Sequence, residues 1–295
     1  RGGKYSSPPA RGRLRGGYKK TLHRFLEMAL TMFIDSHTHL FYPDFQNDIQ
    51  EVIQRANDVG VTKFIVPGTN LDTSKQAIEL AEKQNGVFAC VGFHPLDTMQ
   101  ASDVLLQEIE RLSLHPKVVA IGEIGLDYFY DSAPRDVQSD LFAAQIDIAV
   151  RRNLPIVVHT RDSMLDAITI VEKKVAEHPT WKQNNLRGVF HCFSGTAEEA
   201  ERLFALQFLV SFPGIVTFKK STSPELLQRI GISKIMVETD SPYLTPAPYR
   251  GKRNESSHIP LIAQKIAEIC DTTIEHVAST TTANACRLFQ LPSQQ

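Results

Sequence analysis

The stretch "MFIDSHTHLFYPDF", Met32 to Phe45, decides how the chain is read. Three apolar residues lead into Asp35, and then His37 and His39 flank Thr38. Successive side chains of an extended backbone point to opposite faces, so both imidazoles would share one face and Thr38 the other. Such a pair at a strand end is a metal clamp if other segments bring ligands to it. Otherwise it is two polar residues in a loop.

Working outward, the apolar run in "MFID" (32–35) is the first of eight. The others are "KFIVPG" (63–68), "VFACVGFHP" (87–95), "VVAIGEIGLD" (118–127), "PIVVHTR" (155–161), "GVFHCFSG" (188–195), "FLVSFPGIV" (208–216) and "KIMVETDSP" (234–242). Runs rich in Val and Ile without strict alternation suit strands buried on both faces of a parallel sheet. Helical spacing of apolar residues falls between them, at 48–60, 72–84, 138–152, 163–177, 198–206 and 224–230, then at 259–270 and 274–289. Eight strands alternating with helices predict a single (β/α)₈ TIM-type barrel over residues 32–292. The alternative is an open doubly wound sheet, but neither GxGxxG nor GxxxxGK[ST] follows any run.

Composition fits this class. Apolar residues make up 42% of the 295 and charged residues 22%, enough for a large core in a globular protein. No apolar run has the roughly 18 residues that span a bilayer. The four cysteines are scattered with no CxxC pair, so they read as reduced thiols, and a cytoplasmic monomer is the expectation. Charge is uneven: residues 1–31 carry eight Lys/Arg against Glu27, a net of +7, which leaves −8 for the rest of a chain totalling −1. The leader, rich in Gly, Pro, Ser and Arg, cannot bury enough surface to fold alone. It reads as a disordered segment upstream of a start at Met32, with a basic nucleic-acid-binding tail as the other reading.

The apolar runs end in polar residues: His37 and His39, His94, Glu123 and Asp127, His159 and Arg161, His191 and Cys192, Glu238 and Asp240. In a barrel these ends form the C-terminal mouth, where active sites of this architecture sit. Each residue alone has a plain structural reading, as a hydrogen-bonded histidine, a salt-bridging Glu123 or a capping Asp240. Polar groups at the ends of buried strands cost several kcal/mol unless paired, so their convergence argues for a metal site. Four imidazoles and two carboxylates exceed one tetrahedral ion. They suit two divalent cations sharing Glu123, with Asp240 as general base toward a water. Cys192, adjacent to His191, is expected to face the other way as a buried thiol. Trp181 is expected to pack locally in a loop.

"FIDSHTHL", "GFHP", "IGEIGLD", "VVHTRDS", "HCFSG" and "VETDSPYL…PYRGKRNE" together resemble the TatD family of metal-dependent deoxyribonucleases, within the amidohydrolase superfamily. The resemblance runs from Met32 to about Leu291 with the motifs in order. It implies a divalent-metal hydrolase acting on phosphodiester bonds of DNA, similar to 3′–5′ exonucleases on single-stranded or damaged DNA. By resemblance, His37, His39, Glu123 and Asp240 would hold one metal, and Glu123, His159 and His191 the other. His94, Arg161 and the segment 249–253 would lie near substrate phosphates. Where the family commonly continues with proline after "RGKRNE", this chain has Ser256, Ser257 and His258.

Phosphodiester cleavage also fits the charges, because Arg161 and two metals would neutralise a phosphoryl transition state. Arg250, Lys252 and Arg253 form a basic cluster close in sequence to Asp240, and Ser194 with Gly195 precedes a helix whose N-terminus could bind phosphate. The donor types suit Zn²⁺ or Mn²⁺, while Mg²⁺ prefers oxygen ligands. Two other functions compete: an esterase, amidase or lactonase of the same superfamily acting on a small anionic substrate, and non-catalytic nucleic-acid binding through the leader.

Overall fold

The computed structural model describes residues 32–292. The expectations placed on residues 1–31 lie outside the described residues. Eight strands stand side by side in chain order: β1 (Phe33–Asp35), β2 (Val61–Pro67), β3 (Val87–Val91), β4 (Val118–Asp127), β5 (Ile156–Arg161), β6 (Gly188–Phe190), β7 (Phe208–Phe212) and β8 (Ile235–Val237). Every pairing is parallel.

The two edges meet just beyond β1 and β8. Thr38 and Ser241 form a parallel bridge. Ser36 N donates to Val237 O at 3.2 Å, His39 N to Ser241 O at 2.9 Å, and Asp240 N to His37 O at 2.9 Å. The barrel is therefore closed by the segments that carry His37, His39 and Asp240. An unbroken sequential order with joined edges rules out the open doubly wound sheet.

Helices flank the strands: α1 (Ile49–Asp58), α2 (Leu71–Lys83), α3 (Asp103–Leu112), α4 (Arg135–Arg152), α5 (Met164–Glu177), α6 (Ala197–Ala205) and α7 (Ser223–Ile230), with α8 (Ile259–Ile269) and α9 (Ile274–Phe289) after β8. The sequence reading lacks α3. Its only fully buried residue is Ile109, and Val104 is exposed, so its apolar stripe is thin.

Two cores result. The larger lies between strands and helices. The smaller is the barrel interior, to which each strand contributes one residue: Ile34, Ile65, Cys90, Ala120, Val157, Val189, Leu209 and Met236. Ala285, Leu288 and Phe289 of α9 pack into the same cluster, filling the barrel at the end away from the mouth. Trp181 reaches further than a local contact: it is buried in the larger core, and its Nε1 donates to Leu154 O at 2.9 Å. No helix among the described residues is long and apolar enough to cross a membrane.

Candidate metal centre

The inward layer sets the phase of each strand. Residues two and four places beyond it also face the barrel axis. In β3 and the residues after it, Cys90 leads to Gly92 and His94. In β5, Val157 leads to His159 and Arg161. After β6, Val189 leads to His191, and after β8, Met236 leads to Glu238 and Asp240.

The remaining ligands come from strands that break the alternation. Ala120 and Glu123 are three residues apart. Here β4 carries one extra residue against β5, because Ile121 pairs with Ile156 and Ile124 with Val158. This bulge rotates Glu123 inward. Gly122 makes it possible, since a Cβ there would lie 2.7 Å from the Cβ of Val157. Ile34 and His37 are also three apart, and the chain bends at Ser36 and His37. The bend is held by Asp35, whose carboxylate accepts from Thr239 N at 2.9 Å and Thr239 Oγ1 at 2.6 Å. Burial pushes the Asp35 carboxyl up to about 7.

Glu123 is central and buried, and its two oxygens face different neighbours. Oε2 lies 3.3 Å from His37 Nε2 and 3.9 Å from His39 Nε2. Oε1 lies 2.8 Å from His191 Nε2, 3.0 Å from His159 Nδ1 and 3.5 Å from His94 Nε2. Asp240 Oδ1 completes the first side, 3.5 Å from His39 Nε2 and 3.8 Å from His37 Nε2. His37 and His191 stack with ring centroids 3.9 Å apart, joining the two sides.

Burial alone would raise the Glu123 pKa, but the imidazoles around it, His191 foremost, outweigh it and hold the carboxyl well below its ordinary value. Burial likewise opposes charge on His191, and Glu123 with Glu238 overrides it, raising that imidazole well above normal. His37 is pushed down by burial and by His191.

These residues fit divalent cations. His37 Nε2 is buried with no hydrogen-bond partner, aimed between two carboxylates. Candidate ligand atoms of His37, His39 and Asp240 lie within 4.8 Å of one another, as do those of His37, Glu123 and His191 and those of His94, Glu123 and His159. Nitrogen and carboxylate donors in this mix suit Zn²⁺ or Mn²⁺.

His94 differs from the others. Its Nδ1 accepts a hydrogen bond from Leu96 N at 3.1 Å, and burial lowers its pKa to about 3. A neutral ring accepting at Nδ1 carries its proton on Nε2. His94 therefore presents an N–H donor to the centre rather than a ligand lone pair.

Supporting carboxylates complete the arrangement. Asp127 Oδ2 accepts from His159 Nε2 at 3.1 Å, which fixes the ring with Nδ1 toward Glu123. Glu238, fully buried, accepts from Cys192 N at 2.6 Å and Ser211 Oγ at 2.6 Å, and its Oε1 lies 3.7 Å from His191 Nδ1. The sequence reading names Asp127 and Glu238 but gives them no role. For Glu238 the available signal was its place two residues beyond the inward-facing Met236; Asp127, seven beyond Ala120 and past the bulge, had none in the period.

The centre forms the floor of a cavity of about 1050 Å³. His94, Arg161, Ser194, Tyr130, Tyr42 and Lys220 are among its lining residues. Cys192 also lines it, contrary to expectation, because its left-handed φ of 47° breaks the alternation after His191. Burial holds its thiol well above the ordinary pKa. Thr38 faces away, its hydroxyl 2.7 Å from Ser241 Oγ.

The basic cluster is not brought to the cavity lining. Arg253 grips Asp48, with Nη1 on Oδ1 at 2.8 Å and Nη2 on Oδ2 at 2.7 Å, and its Nη1 also donates to Asp44 O. Arg250 stacks on Phe218 with its guanidinium carbon 3.6 Å from the ring centre. Neither side chain is among the residues lining the cavity; each instead meets a partner distant in sequence, Asp48 for Arg253 and Phe218 for the exposed Arg250. Ser194 lies at the cavity, and at the helix start beside it Thr196 and Glu199 form a capping box at the N-terminus of α6.

The family described as TatD related DNase matches residues 34–290. An uncharacterised metal-dependent hydrolase of Bacillus subtilis, YabD, is 41% identical over 88% of this chain and 100% of its own length. A protein of Shigella flexneri named 3′-5′ ssDNA/RNA exonuclease TatD is 35% identical over 86% of this chain and 98% of its own. The crystal structure of YJJV, a TATD homolog from Escherichia coli, superposes with a TM-score of 0.81 at 29% identity, covering 88% of this chain and 98% of that one. With the barrel, the mouth histidines and the central glutamate in place, this chain belongs to the TatD family of metal-dependent hydrolases.

Proposed function

We propose that the chain hydrolyses phosphodiester bonds of DNA as a 3′–5′ exonuclease on single-stranded or damaged strands, using two divalent cations that share Glu123. The observation that carries this reading is the split environment of Glu123. One oxygen faces His37 and His39 while the other faces His159 and His191, at the floor of a cavity whose lining includes Arg161 and Lys220. His37, His39, Glu123 and Asp240 would hold one ion, and Glu123, His159 and His191 the other. Bound there, the ions supply Lewis acidity and activate water for attack on phosphorus.

The chain's own groups do the rest. Asp240 is kept ionised by His39 and His37 against the opposing effect of burial, so it can take a proton from the attacking water. His94 directs its Nε2 proton toward an oxygen of the bound phosphate. The Arg161 guanidinium has no carboxylate partner among the described residues, leaving its charge for an anionic substrate.

The test is activity of the full chain loaded in turn with Mn²⁺, Mg²⁺ and Zn²⁺ on end-labelled single-stranded DNA, duplex DNA, RNA, and neutral esters and amides. Stepwise shortening of single strands, lost in Glu123→Ala and kept after deletion of residues 1–31, supports the reading. Turnover of neutral esters or amides with none on nucleic acid overturns it, as does DNA binding without hydrolysis that depends on residues 1–31.

A further inference from the structure

We infer that Phe129, Tyr130 and Arg161 form a stacking subsite for an unpaired nucleobase beside the phosphate to be cleaved. This inference rests on the proposed nuclease reading and extends it to how the substrate is recognised. Phe129 is 55% exposed and Tyr130 48%, whereas Phe64, Phe142 and Phe190 are fully buried. The two exposed rings meet edge to face with centroids 4.9 Å apart. The Arg161 guanidinium carbon lies 3.6 Å from the Phe129 ring centre and 5.0 Å from that of Tyr130, so a cation and two aromatic rings are contiguous. Tyr130 and Arg161 line the cavity above the metal centre.

The surface is held in register with that centre. Asp127, which orients His159 through Oδ2, accepts at Oδ1 from Phe129 N at 3.0 Å and Tyr130 N at 3.1 Å. Tyr128 N donates to Arg161 O at 2.8 Å. One carboxylate thus positions both a metal-facing imidazole and the aromatic pair. Every base has a π-face, so a surface of two rings and a guanidinium accepts any unpaired base but not one already stacked within a duplex. The exposed cation adjoins where the phosphate of that nucleotide would lie. The occupant is therefore a nucleotide with a free base at a strand end.

The experiment compares two single-stranded oligonucleotides, one ordinary and one with tetrahydrofuran abasic residues in the last three positions at each end. KM and kcat are measured for the metal-loaded full chain and for Phe129→Ala/Tyr130→Ala. Base stacking on aromatic rings is worth roughly a 5- to 150-fold difference in affinity. The unaltered chain should show KM at least about fivefold lower for the ordinary strand, and the double variant should lose that discrimination, with the change carried by KM. Tyr130→Phe, which keeps the ring, should retain discrimination, and metal content should match in all three proteins. Undiminished discrimination in the double variant, or none in the unaltered chain, overturns the subsite while leaving the nuclease reading intact. Failure of every protein to cleave either strand overturns the nuclease reading, and the subsite with it.

Discussion

Asp127→Asn is nearly isosteric, yet it should disable the second side of the metal centre. Asp127 Oδ1 is claimed by two backbone donors, Phe129 N and Tyr130 N, so an asparagine there keeps its carbonyl oxygen on them and turns its NH₂ toward His159. In the native chain a carboxylate oxygen faces His159 Nε2 at 3.1 Å, and a carboxylate only accepts, so Nε2 carries the proton and Nδ1 offers its lone pair toward Glu123. An NH₂ in that place donates to Nε2 and moves the proton of the neutral ring to Nδ1, aimed at the cation. Loss of such an outer carboxylate typically costs 10- to 100-fold in metal affinity, about 1.4 to 2.7 kcal/mol, and the wrong tautomer puts Asn at the upper end. Asp127→Ala leaves the ring free to choose its tautomer, so it should lose less affinity. It should lose more stability, by about 1 kcal/mol, because the two amides lose their acceptor. Calorimetric titration of Mn²⁺ into chelator-stripped protein, with melts of the apoproteins, measures both quantities. Imidazole nitrogen NMR reads the tautomer directly. Wild-type Mn²⁺ affinity in Asp127→Asn, or weaker metal binding in Asp127→Ala than in Asp127→Asn, would refute the reasoning.

Three further outcomes are expected. Glu123→Gln keeps the shape of the carboxylate and removes its charge from among five histidines, so hydrolysis should fall by at least about 10³-fold, with metal content measured by mass spectrometry falling in parallel. Asp48, which Arg253 and Arg55 hold down at about 2, should contribute stability above about pH 4 that is lost as pH falls toward 2; discounted for exposure this is about 1 kcal/mol. Chemical denaturation of Asp48→Asn should show that deficit at pH 7 and a narrowing gap in acid, with KM for DNA unchanged if Arg253 is a strut. Phe289→Ala empties the barrel at the end opposite the mouth and should destabilise the chain by about 3–5 kcal/mol in the same assay, with Mn²⁺ affinity unaffected.

The extent to which the sequence foretells this arrangement can be traced strand by strand. Eight apolar runs with helices between them were enough for the barrel, because parallel strands buried on both faces leave few other compositions. His94, His159, His191 and Asp240 each sit at even spacing from an inward-layer residue, so their convergence was written in a period of two. His37 and Glu123 were not, since plain alternation from Ile34 and Ala120 sends both outward. Their recognition rested on residue type and resemblance rather than phase. Bends the period cannot encode set these positions: the extra residue at Gly122, the turn at Ser36, and the left-handed backbone that reverses the expectation for Cys192. The Arg253 contact was hidden for another reason, because its partner Asp48 lies 205 residues away and no local pattern pairs them. The two frame slips share a logic. A carboxylate serving ligands on both sides has to reach the barrel axis between β1 and β5, and a regular β4 would aim Gly122 there instead. One inserted residue, tolerated because position 122 lacks a side chain, turns the glutamate in without disturbing the outward packing of Ile121 and Ile124. The bend after β1, tied down by Asp35, does the same for the histidine pair that faces it.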